Sequence, residues 1–154
     1  MKELINWLLK LMAERLPPPA PPPPPAPYDL LEIPAAALAT MLDDKEIEFY
    51  FFDSKIVYPS HERWGELFWD VLSNIDPWSE EYWDCDDISL LVKSRFAERY
   101  RINGIGIGIG MAPEGYHAYN IFLSEKGLFI LEPQTGEVWP VTSKSKYKTD
   151  WVIW

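Results

Sequence analysis

Cysteine is almost missing from this chain: Cys85 is the only one in 154 residues. No internal disulfide can form. Zinc would need more ligands than Cys85, His61 and His117 bring, and these are all the thiol and imidazole groups there are. Basic residues are also scarce, with 14 Lys and Arg against 24 Asp and Glu and a formal charge of −10. That charge repels nucleic-acid phosphates and anionic membranes, and no basic patch with interleaved aromatics offsets it. No apolar run approaches the roughly 20 residues that a membrane span needs. Apolar residues, by contrast, are plentiful at 47%, with 15% aromatics and eight Trp, so a packed core is expected rather than disorder. The length suits one domain with one core.

Three parts follow along the chain. Residues 1–16 read as a short amphipathic helix in which Leu4, Ile5, Trp7, Leu8, Leu9, Leu11, Met12 and Leu16 form a wide apolar stripe. Such a stripe must dock on a protein partner or on another copy of itself. It lacks the apolar core and small-residue cleavage site of a signal peptide, so a cytoplasmic or virion-associated location is expected. Residues 17–27 hold nine prolines in eleven positions, which enforces a polyproline II rod. It reads as a spacer more readily than as a ligand for an aromatic groove. The domain proper is expected over 28–154.

Within that domain, Pro34 to Leu42 read as a helix with Pro in its first turn. An aromatic strand is expected within Lys45–Val57. Ser60 can cap a helix with Trp64, Leu67, Phe68, Val71, Leu72 and Ile75 at 3- and 4-residue spacing. A further helix starts at Asp84 or Cys85, with Ile88, Val92 and Phe96 on the face of Cys85. The period then changes to two in Ile105–Met111, where glycines alternate with apolar residues. This is no dinucleotide fingerprint, since a strand rather than a helix follows. It reads as a strand with one bare face that another backbone approaches. Strands are expected near 116–123, 128–132, 137–141 and 150–153.

Three residues invite chemistry. Cys85 sits at a helix N-terminus, where the dipole favours a thiolate, but Asp84, Asp86 and Asp87 oppose it. Asp84 also reads as an ordinary N-cap, with Asp86 and Asp87 as ordinary first-turn acids. His117 opens one strand and Glu132 ends the next, across a turn at Ser124–Gly127. Pairing Leu123 with Leu128 places Tyr119 opposite Glu132 and His117 opposite Gln134. His117 and Glu132 then become diagonal neighbours on one face. A carboxylate there would fix the imidazole's tautomer, the third role in a nucleophile–base–orienter set. The same pair also occurs as plain structure.

The strings Trp83-Asp-Cys-Asp-Asp87, Tyr116-His-Ala-Tyr-Asn120 and Leu131-Glu-Pro-Gln134 resemble papain-like and transglutaminase-like cysteine peptidases. They look most like the C-terminal protease domain of a fungal mushroom agglutinin and related bacterial and phage proteins, over about residues 28–142. The resemblance implies an α+β papain-like fold, with the Cys-bearing helix packed on an antiparallel sheet. It implies a cysteine hydrolase, a peptidase or amidase, acting on a protein or peptide through a thioester, with Cys85 as nucleophile, His117 as base and Glu132 as orienter. It further implies calcium, for which Asp84, Asp86 and Asp87 are the candidate ligands. No cofactor is required by the residues themselves. Oxyanion donors would come from the Cys85 N–H or from Trp78 or Trp83, with Tyr119 and Gln134 as supporting residues. The alternative is a catalytically silent structural or interaction domain tethered by the N-terminal helix, for example in a phage particle.

Overall fold

A computed structural model describes residues 29–73, 75–76, 79 and 83–154. The expected N-terminal helix, the proline rod and Trp78 lie outside the described residues. The described chain runs β1 (Leu30–Pro34), α1 (Ala35–Asp43), β2 (Glu48–Tyr50), β3 (Lys55–Pro59), α2 (His61–Leu72) and α3 (Cys85–Tyr100). It continues through β4 (Ile105–Ala112), β5 (Gly115–Ser124), β6 (Gly127–Glu132), β7 (Glu137–Pro140) and β8 (Lys148–Ile153). No helix among the described residues is long and apolar enough to cross a membrane.

The α+β class stands, but the sheet is mixed. Its order is β2-β8-β4-β5-β6-β7, and the edge strand β2 runs parallel to β8 while the other pairs are antiparallel. The expected all-antiparallel sheet is thus corrected: the final strand returns beside β2 in the same direction, and Trp154 N–H donates to the Tyr50 carbonyl. The aromatic run expected as one strand breaks into β2 and β3. β3 pairs with β1 in a separate two-stranded sheet, and β1 carries no clean apolar alternation that would have announced it.

The glycine alternation does what a bare face implies. A Cβ on Gly110 would come within 2.0 Å of the Lys148 carbonyl, and one on Gly106 within 2.8 Å of the Ile153 carbonyl. β8 can therefore lie this close, and the β4–β8 register shifts between Ile109 and Gly110. α2 buries Trp64, Leu67, Phe68 and Val71, and α3 buries Ile88, Ser89, Val92 and Phe96. Trp64, Phe68, Phe96 and Phe122 meet as an aromatic cluster with ring centroids 4.9–5.6 Å apart. The Trp64 indole N–H donates to the Leu123 carbonyl, so the largest core side chain is buried without an orphaned donor. This cluster clamps α2 and α3 to the sheet.

Candidate functional site

The sheet side of the site follows from strand register. Leu123 pairs with Leu128 and Ile121 with Ile130 across an ordinary turn, so odd positions of β5 share a face with even positions of β6. His117 and Glu132 meet there, with the imidazole Nε2 2.8 Å from Glu132 Oε2. The Glu132 side chain is 5% exposed and that of His117 21%. Tyr147 donates its hydroxyl to the same Oε2 at 2.9 Å, and the Gln134 backbone N–H donates to Oε1 at 3.1 Å. Burial pushes the Glu132 carboxyl upward. The hydrogen bond from His117, the Gln134 N–H, the imidazole's proximity and the Tyr147 hydroxyl outweigh it, and the carboxyl ends below its ordinary range. An ionised carboxylate can only accept, so Nε2 is the nitrogen that donates in this pair.

Tyr147 is the residue that sequence reasoning missed. It lies in an irregular stretch ahead of β8, with no periodic pattern to mark it. Its ring stands edge-on to His117 and Trp139 and packs on Tyr119. Burial and the Glu132 carboxylate push its hydroxyl well above the usual tyrosine value. Tyr119 packs beside the pair. Its hydroxyl donates to Thr149 Oγ1 at 2.7 Å, and burial pushes it up to about 12, so it supports the pair by packing.

The helix side is built differently. Cys85 is the first residue of α3 and half-buried. Asp84 occupies the N-cap position, but its side chain makes no capping bond. That corrects the expected cap: the carboxyl faces Asp86, and its Oδ1 is sealed from solvent with no partner among the described residues. Hydrogen bonding to Asp86, burial, and repulsion by Asp86 and Asp87 hold Asp84 above the ordinary aspartate range. Ligand atoms of Asp84, Cys85 and Asp86 lie within 4.8 Å of one another, and Asp87 is not among them. Calcium takes six to eight hard oxygens. Two carboxylates and a soft thiol do not fit that requirement.

Both sides line one cleft of about 490 Å³. Asp84, Cys85, Tyr116, His117, Glu132, Gln134 and Tyr147 border it, and so do Glu114, Glu137 and Lys146. The geometry therefore brings together Cys85, His117 and Glu132 as expected. It does not bring in Trp83, whose indole N–H donates to the Asp76 carbonyl at 3.0 Å. Chemically, the cleft offers a thiol, an imidazole oriented by a carboxylate, and several hydrogen-bond acceptors.

The family described as Agglutinin C-terminal matches residues 57–138, a span that contains Cys85, His117 and Glu132. No curated protein matches the chain in sequence. Among solved structures, the chain is similar to one described as a PSL1a-E64 complex, with 23% identity and a TM-score of 0.64. It is also similar to Polyporus squamosus lectin bound to the human-type influenza-binding epitope Neu5Aca2-6Galb1-4GlcNAc, with 25% identity and a TM-score of 0.62. Each likeness covers 80% of this chain and 50% of the other, so the chain spans half the length of the structures it resembles. Because the family match extends over more than half of its residues, the chain belongs to the agglutinin C-terminal family. The expectation of a thiol protease or amidase with a peptide substrate is corrected by these findings, since the family is described as Agglutinin C-terminal and one of the similar structures as a lectin. Asp84, Asp86 and Asp87 crowd Cys85, and the Trp83 indole, expected as an oxyanion donor, is bonded to the Asp76 carbonyl instead.

Proposed function

We propose that this member of the agglutinin C-terminal family is a binding domain whose ligand seats in the cleft between Cys85, His117 and Glu132. The observation that carries the reading is the buried Glu132, held by three donors so that its oxygen meets a partly exposed imidazole. A buried carboxylate costs free energy unless fully hydrogen-bonded, and a purely structural pair has no need to face a cleft. The lining also indicates the ligand. Asp84, Glu114, Glu132 and Glu137 face a single Lys146 among the lining side chains, and Tyr116 is 60% exposed at the cleft. Carboxylates accept hydrogen bonds from sugar hydroxyls, and an exposed aromatic face packs against a pyranose ring. Negative charge in excess favours a neutral sugar over a sialylated one. Within the site, Cys85 and His117 pair across the cleft that both line, and Glu132 orients the imidazole.

The test is NMR of the His117 ring while Galb1-4GlcNAc is added, beside Neu5Aca2-6Galb1-4GlcNAc. A saturable shift with the neutral sugar, weaker with the sialylated one and lost in Glu132→Gln, is the expected result. No shift at tens of millimolar, on the order of the weakest measurable affinities, would overturn the ligand assignment. Release of fragments from a peptide mixture would overturn the non-catalytic reading itself.

A further inference from the structure

Asn120 lies on β5 three residues beyond His117 and is fully buried. Its side-chain amide donates twice, to the Ser89 carbonyl on α3 at 2.9 Å and to the Gly106 carbonyl on β4 at 3.1 Å. Ser89 in turn donates its hydroxyl to the Cys85 carbonyl at 2.7 Å. A continuous set of hydrogen bonds therefore runs from β4 through β5 to the first residue of α3. Asn120 Oδ1 has no partner among the described residues, although it is sealed from solvent. A buried acceptor left unpaired is costly, and an apolar residue of similar size would pack there without that penalty. Ile88, Val92 and Phe96, on the same helix, already supply apolar burial. Stability alone does not explain an asparagine at this position.

We propose that Asn120 is a positioning residue that fixes the Cys85 end of α3 against the strand carrying His117. It acts through Ser89 and touches neither the thiol nor the imidazole. An apolar side chain would hold the two elements together by non-directional contact, leaving the helix free to slide or rotate by fractions of an ångström. Two directional bonds from one amide, each to a different element, restrict that freedom. The inference rests on the proposed thiol–imidazole pairing in the cleft.

Because Cys85 is the only thiol, its alkylation reports on this site alone. Iodoacetamide rates are measured at neutral pH on the full chain, for wild type, His117→Ala, Asn120→Leu and the double variant. The His117→Ala change is expected to slow alkylation roughly tenfold in the wild-type background. In the Asn120→Leu background the same change is expected to have an effect of about twofold or less, a coupling between sites that do not touch. Circular dichroism checks that Asn120→Leu remains folded under the assay conditions. A folded Asn120→Leu protein in which His117 keeps its full effect would overturn the positioning role. Should Asn120→Leu fail to fold, Ser89→Ala, which removes only the hydroxyl gripping Cys85, is read in the same way. If His117→Ala has no effect in the wild-type background, the thiol–imidazole pairing has failed, and the positioning role falls with it.

Discussion

The two walls of the cleft are built on opposite principles. On the sheet wall every oxygen of Glu132 is paired: Oε2 receives His117 and Tyr147, and Oε1 receives the Gln134 N–H. On the helix wall Asp84 has a sealed oxygen with no partner among the described residues, and its neighbours Asp86 and Asp87 repel it. One wall is a closed hydrogen-bond network that holds an imidazole in place. The other is an open, self-repelling cluster around a thiol. The difference shows that a charge can be made a structural part only where directional donors are built around it, and this fold supplies them from β5 and the segments flanking β6 and β8 rather than from the helix end.

The comparison is broken most severely by Glu132→Ala. Loss of the carboxylate strands three donors beside a small cavity, and chemical denaturation should record a cost of about 3 kcal/mol or more. Tyr147→Phe keeps the ring packed on His117, Tyr119 and Trp139 and removes one hydroxyl. A loss of about 1–2 kcal/mol is expected in the same measurement. Asp84→Asn is the mildest change and works in the other direction: thermal unfolding at neutral pH should show a small rise in midpoint.

The walls also respond to pH with opposite signs. The Glu132 carboxyl is lower in the folded chain than in the unfolded one, so its contribution is present above the ordinary glutamate range near ~4.3 and is lost as pH falls through the folded value. The Asp84 carboxyl is higher in the folded chain. Its contribution is complete below the ordinary aspartate value near ~3.9 and is lost as pH rises through the folded one. A pH series of unfolding midpoints should therefore lose its acid-side decline in Glu132→Gln. In Asp84→Asn the gain over wild type should appear at neutral pH and vanish in acid. The reverse pattern would show that the two walls had been assigned the wrong way round.

Much of this architecture was legible from local pattern. Helix periodicity placed Trp64, Leu67, Phe68 and Val71 inside, and all four are buried. The alternating glycines announced a strand with a bare face. The pairing of Leu123 with Leu128 put His117 and Glu132 on one face, and the register is as expected. The failures have physical reasons too. β1 lacks alternation because it pairs only with β3, away from the main sheet. Asp84 resembles a cap in sequence, yet its carboxyl turns to Asp86. Tyr147 comes from an irregular stretch, and its role depends on meeting Glu132 from fifteen residues away.

By itself the sequence determined the elements, the strand parity and the placement of a lone thiol at a helix start, because each depends on spacing over a few residues. It also determined the acidity that turns phosphates away. Only the tertiary structure decided which hydrogen bonds each side chain makes. Asn120 reaches Ser89 across 31 positions, Tyr147 reaches Glu132, and the Trp83 indole turns to Asp76. A buried polar group takes whichever partner packing brings within about 3 Å, and no local spacing encodes that distance.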